Sequence, residues 1–209
     1  MELRLDPDDF LKSITQTLAG LELEFRGKLF PGKINPPDPQ NKLPERIDFP
    51  HFVGQMNGIP MEIDFSLFQE FDLSGKPQKK ESTLAPFLRI YCKLNLTPIV
   101  LLIIPGVRNF MDQISQKLGL QQDIPVGIPE IDNSYRIRSD KPEAVITAFQ
   151  NPVTVSALKR LDGFSRLQFK DSALSFVDQP FEEEKFCPDY LRRTLNGLQT
   201  LITVFTGQQ

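Results

Sequence analysis

Acid–base chemistry could be built at one place in this chain, around its single histidine, His51, and the carboxylates Glu62 and Asp64. A histidine beside a carboxylate can act as a base near neutral pH or offer ligands to a metal. The sequence brings the three together through a hairpin. Asn57-Gly58 is a strong two-residue turn signal, because a type I′ turn needs positive φ at both positions. Pairing Met56 with Ile59 and counting outward sets His51 opposite Asp64. Ile59, Met61, Ile63 and Phe65 alternate with Pro60, Glu62, Asp64 and Ser66, so the two acids share the polar face. The plainer reading is an exposed cross-strand charge pair. The hairpin offers no nucleophile, and one histidine with two acids is a thin donor set for zinc. A hydrolase-type use of His51 with Asp64, with Glu62 beside them, is therefore the least supported of three functional readings.

Arginines and lysines suggest a second chemistry. Leu88, Ile90, Cys92 and Leu94 alternate with Arg89, Tyr91 and Lys93, and Arg136 and Arg138 share a face further on. Arg166 and Lys170 do the same. If those strands are neighbours, Arg89, Lys93, Arg136 and Arg138 would form a basic patch able to hold a phosphate, another anion or an acidic partner. If not, they are the ordinary charged alternation of a solvated face. The two cysteines, Cys92 on an apolar strand face and Cys187 at a helix start near three glutamates, read as structural thiols. No glycine-rich phosphate loop is present, and no bound cofactor or metal is expected.

Composition narrows the classes further. The 209 residues are 40% hydrophobic and 24% charged, with a net charge of −3, which gives no general attraction to nucleic acid. Seventeen of the aromatic residues are Phe and three are Tyr, a balance that suits a core. The acidic N-terminus does not read as a signal or transit peptide. The apolar run from Ile99 to Ile104 is too short for a membrane span, which needs about 20 residues. A soluble, cytoplasmic protein with reduced thiols is expected.

The elements that must position these residues follow from periodicity. Asp6-Pro7-Asp8-Asp9 opens an N-terminal helix within residues 1–20, with Phe10, Leu11, Ile14 and Leu18 as its stripe and Gly20 as its end. Pro31, Pro36, Pro37, Pro39, Pro44 and Pro50 make residues 31–50 a proline-rich loop. A second polar loop runs over 74–82. Pro98 to Ile104 reads as a strand buried on both faces, Arg108 to Leu118 as a helix, and Ile131 to Arg138 as a strand. Ser139 or Asp140 caps a helix ending at Phe149, and Asn151-Pro152 starts another. Leu167 and Phe169 pair with Leu174 and Phe176 across an Asp171-Ser172 turn. Cys187-Pro188 opens a closing helix with the stripe Leu191, Leu195, Leu198, Ile202 and Phe205. Residues 1–209 thus read as a single α+β domain, a largely antiparallel sheet with helices packed on it.

The Gly54-x-x-Asn57-Gly58 hairpin, the Leu88–Leu94 strand and the run Tyr135-Arg136-Ile137-Arg138-Ser139-Asp140 carry a likeness. So do the Pro142-to-Phe149 helix, the short Leu-rich helix, the late hairpin and the closing helix. From Ile47 to Gly207 this order resembles a widespread family of uncharacterised bacterial proteins. The resemblance implies an α+β fold and brings no established activity. With no complete catalytic constellation, the leading expectation is a non-enzymatic module that binds another protein. An anion- or small-molecule-binding domain on the arginine face comes second.

Overall fold

The structure is a computed structural model. It describes residues 7–36, 46–66, 86–96, 99–106, 123–161, 163–181 and 185–207. The Asp6 cap, the 74–82 loop, the 108–118 helix and the three glutamates at 182–184 lie outside the described residues.

Among the described residues the order is α1 (Pro7–Ala19), β1 (Lys28–Phe30), β2 (Lys33–Asn35), β3 (Arg46–Asp48), β4 (His51–Met56), β5 (Ile59–Ser66), β6 (Phe87–Lys93) and β7 (Leu101–Pro105). There follow α2 (Pro129–Ser134), β8 (Tyr135–Ser139), α3 (Pro142–Phe149), α4 (Pro152–Arg160), β9 (Arg166–Lys170), β10 (Ala173–Asp178) and α5 (Pro188–Thr206). Eight strands form one antiparallel sheet in the order β1-β4-β5-β6-β10-β9-β7-β8, and β2 pairs with β3 apart from it. With the helices packed against the sheet, this is an α+β fold.

Two-residue turns set the register. Asn57 and Gly58 have φ of 50° and 82°, and Asp171 and Ser172 have 53° and 56°. Both pairs therefore adopt the primed-turn geometry that matches strand twist. Met56 faces Ile59, Phe169 faces Leu174 and Leu167 faces Phe176. One lateral row then crosses almost the whole sheet on its inner face: Phe52, Ile63, Ile90, Phe176, Leu167, Ile103 and Ile137. All are 0–1% exposed. Each such side chain contributes about 1.5–3 kcal/mol by leaving water. The helices cover this face in a contiguous core with Ile14, Leu18, Val145, Phe149, Leu158, Leu195 and Leu198. The closing helix starts at the Cys187 cap, as its sequence implies, and Gly207 ends it at φ 70° with its N–H donating to Thr203. The stripe of that helix is buried, so it faces the core and is not a free coiled-coil seam.

Four expectations need correction. The 31–50 segment is not wholly irregular, because β2 and β3 pair within it, with Asn35 Nδ2 donating to Asp48 at 2.7 Å. Ile131 to Ser134 is helical, and extended chain begins only at Tyr135. Pro129 opens that short helix, and Asp132 accepts the Val126 and Gly127 N–H groups at 2.8 and 3.0 Å, which outweighs the apparent alternation. The β7 strand starts at Leu101 and buries one side, Leu101 and Ile103, leaving Leu102 and Ile104 half-exposed. Helix α3 is capped by the Lys141 position with no side-chain bond, since Asp140 is already committed to the Val100 N–H at 2.8 Å.

Candidate functional site

Alternation sends the other half of each strand to the outer face, where a second row can be followed without a break. It runs Lys28, Val53, Glu62, Tyr91, Ser175, Gln168, Leu102 and Arg138, one residue from each of the eight strands. Its left half is the open part. Tyr91 is 46% exposed and Val53 43%, with Glu62 between them and Lys28 at the end. A parallel row adds Phe30, His51, Asp64 and Arg89.

The open half of this face gathers five of the seven residues singled out by chemistry: His51, Glu62, Asp64, Arg89 and Lys93. Their partnerships differ from the simple expectation. Arg89 grips Asp64 with two hydrogen bonds, Nε to Oδ1 and Nη2 to Oδ2, each 2.6 Å. His51 instead stacks on Phe30, with ring centroids 4.4 Å apart and planes 5° apart, while Lys28 Nζ lies 5.0 Å from the Phe30 centroid. The His51–Asp64 pair implied by the register is not formed. A fork-like guanidinium across one strand gap is the better partner for a carboxylate. Glu62 and Lys93 have neither hydrogen bond nor ion pair among the described residues.

Arg136 and Arg138 lie elsewhere. They sit on β8, separated from β6 by β10, β9 and β7, which sets them about 19 Å from Arg89 at the usual strand spacing. Arg138 Nε also donates to Asp123 at 2.8 Å, and that carboxylate is almost fully buried. The expected arginine cluster is therefore split between two regions of the sheet, with Arg89 and Arg138 each on a local acid.

Each edge strand of the eight-stranded sheet makes a hydrogen bond with a residue outside the sheet. On β1, the Leu29 N–H donates to the Glu22 carboxylate at 2.9 Å. On β8, the Ile137 carbonyl accepts from the Ile124 N–H at 2.7 Å, beside the Asp123–Arg138 bridge. These contacts blunt the two places where a foreign strand could add.

One polar cluster escaped the sequence reading. Asp178, at the end of β10, accepts from the Tyr190 hydroxyl and lies 3.2 Å from Lys185 Nζ. Burial raises the Asp178 carboxyl above the usual carboxylate range, against the opposite pull of Tyr190, Lys185 and the Gln179 N–H. The Tyr190 hydroxyl is raised as well, by burial first and then by the Asp178 charge. Phe186 lies against Tyr190 with centroids 6.4 Å apart, and it packs in turn on Phe181 at 4.7 Å and on Phe65 at 5.6 Å. The cluster therefore ties the β10–α5 connection to the core. No sequence pattern marks it, because its members come from three segments.

Cys92 is buried on the inner face, and burial pushes its thiol up to about 12. Among the described residues no group of three or more His, Cys, Asp and Glu gathers as a metal site. No described helix is long and apolar enough to cross a membrane. Two open grooves flank α4, about 510 Å³ along Arg160, Asn196 and Thr203 and about 540 Å³ along Phe149, Val155 and Lys159. In the second, Lys159 is already bridged to Glu130 at 2.7 Å. Comparisons with protein-family models, curated proteins and solved structures find no match to this chain.

Proposed function

We propose that this chain is a protein-binding module that receives its partner on the outer face of β1, β4, β5 and β6. The observation that carries the reading is the exposed lateral run of Val53, Glu62 and Tyr91, adjoined by the exposed Phe30 and the half-buried His51. Isolated exposed apolar side chains are ordinary, but here an aliphatic and two aromatics lie together around a polar centre. Tyrosine and arginine are among the residue types that dominate interface energetics. The free thiols of Cys92 and Cys187 support a reducing, cytoplasmic setting. The mixed charge of the face gives no support to nucleic acid as the partner.

Photocrosslinking tests the reading. A benzophenone side chain placed at Tyr91 should trap a discrete partner in native lysate, whereas the same group at Ser156 on α4 should not. Val53→Asp should abolish the product. Equal products from both positions, or none from Tyr91, would overturn the assignment of this face.

A further inference from the structure

The open face also specifies what kind of segment it takes, an inference that rests on the protein-binding reading above. Its charges are not equivalent. Asp64 is neutralised by Arg89 through two 2.6 Å hydrogen bonds, and Lys28 is drawn over the Phe30 ring. Glu62 remains, an exposed carboxylate with no partner among the described residues, and its lateral neighbours on both sides are the exposed side chains of Val53 and Tyr91. A carboxylate between an aliphatic and an aromatic wall is complementary to one kind of side chain. The methylene stem of a lysine or arginine can lie on the walls while its charged head reaches the acid, and Tyr91 adds the attraction of its ring face for a cation.

The dimensions of the patch select the size of the occupant. Four strands and five residues along β4 span roughly 15 Å by 15 Å, on the order of 200–300 Å². A stable globular interface needs about 800 Å² on each partner. The border selects further: Lys28 on β1 and Lys93 on β6 lie to either side of Glu62 and oppose a run of positive charge. We propose that the face binds a short linear segment of another protein through one basic side chain, seated between Val53 and Tyr91 and paired with Glu62. Segments with a single lysine or arginine are preferred over polybasic ones.

Phage-displayed random 12-residue peptides selected on the immobilised full-length chain provide the test, with the best peptide then measured by fluorescence anisotropy. Enriched peptides should carry one lysine or arginine beside apolar residues. Glu62→Gln should weaken the best peptide about tenfold or more, the scale of one hydrogen bond to a charged group. Glu62→Lys should turn the selection toward acidic peptides. Unchanged urea midpoints show that both variants fold. Peptides without a basic residue, binding within twofold for Glu62→Gln, or no enriched peptide at all would overturn the proposal. If Tyr91→Ala abolishes binding while Glu62→Gln leaves it intact, the basic anchor is wrong and the face stands. If the Tyr91 crosslink fails as well, both readings fall.

Discussion

Phe52 and Gly54 share the inner face of β4, so that Val53 between them is held outward. Replacing Gly54 by alanine attacks that arrangement directly. A Cβ at this position would stand 2.6 Å from Phe52 Cε1 and 2.9 Å from the Phe25 carbonyl oxygen. Carbon atoms in contact prefer about 3.5–4.0 Å, so the ring must retreat by roughly 1 Å. It has little freedom to do so, because Phe52 is fully buried and also packs against Gly27. Nor can the Phe25 carbonyl yield cheaply, since it accepts the Gln55 N–H at 2.8 Å. Overpacking of this kind costs about 1–3 kcal/mol. The smaller conformational entropy of unfolded alanine offsets about 0.4–1 kcal/mol of it. The net expectation is a loss of about 1–2 kcal/mol, or roughly 0.5–1 M in the urea midpoint at a slope of about 2 kcal/mol/M. Phe52→Leu, harmful alone, should cost less in the Gly54→Ala background, giving a favourable coupling in a double-mutant cycle. A Gly54→Ala variant as stable as the parent, or strictly additive losses, would refute the packing argument.

Two further expectations concern buried titratable groups. Because burial raises the Asp178 carboxyl, the native chain keeps that proton to higher pH than the unfolded chain does. The unfolded state then binds fewer protons above the ordinary carboxylate range, so this contribution is full at lower pH and declines as pH rises through the native value. The stability of the parent relative to Asp178→Asn should fall in urea titrations as pH rises above the ordinary carboxylate range. A relative stability that climbs instead would mean that Lys185 and Tyr190 favour the anion more strongly than burial opposes it. For the thiols, Cys187 is exposed and Cys92 is buried and shifted to about 12. Ellman's reagent should report one fast equivalent in the native protein and two in urea, and two fast native equivalents would contradict the burial of Cys92.

Local chemistry made much of this fold legible. The two primed turns, the alternation of β4, β5, β6, β9 and β10, and the Cys187-Pro188 start of α5 all depend on neighbours in sequence. Three-residue strands are different. Lys28 to Phe30 offers barely one period of alternation, so periodicity does not mark β1, and Phe30 joins the site only through the pairing of β1 with β4. At Ile131 a carboxylate, Asp132, turns back on two upstream amides and closes a helical turn, a contact that hydrophobic periodicity does not register. Which side chains share the outer face was readable from alternation alone. Their spacing was not, because it depends on strand order. The late hairpin of β9 and β10 inserts between β6 and β7, and this moves Arg136 and Arg138 away from Arg89.

That same insertion explains why the two halves of the outer face behave differently. The β9–β10 hairpin brings Ser175, Val177 and Gln168 to the middle of the sheet, all half-buried, and beyond them Arg138 is held by Asp123. On the other side, each strand pair adds an exposed group to a backbone fixed from beneath by Phe52, Ile63 and Ile90. Core packing sets the positions of Val53, Glu62 and Tyr91, yet their side chains do little to stabilise the core. Val and Tyr are themselves strong strand formers, so strand propensity accounts for their presence at positions 53 and 91 and leaves their placement beside Glu62 to explain. Their placement on either side of an acid with no partner among the described residues is the feature that the proposed binding role would use.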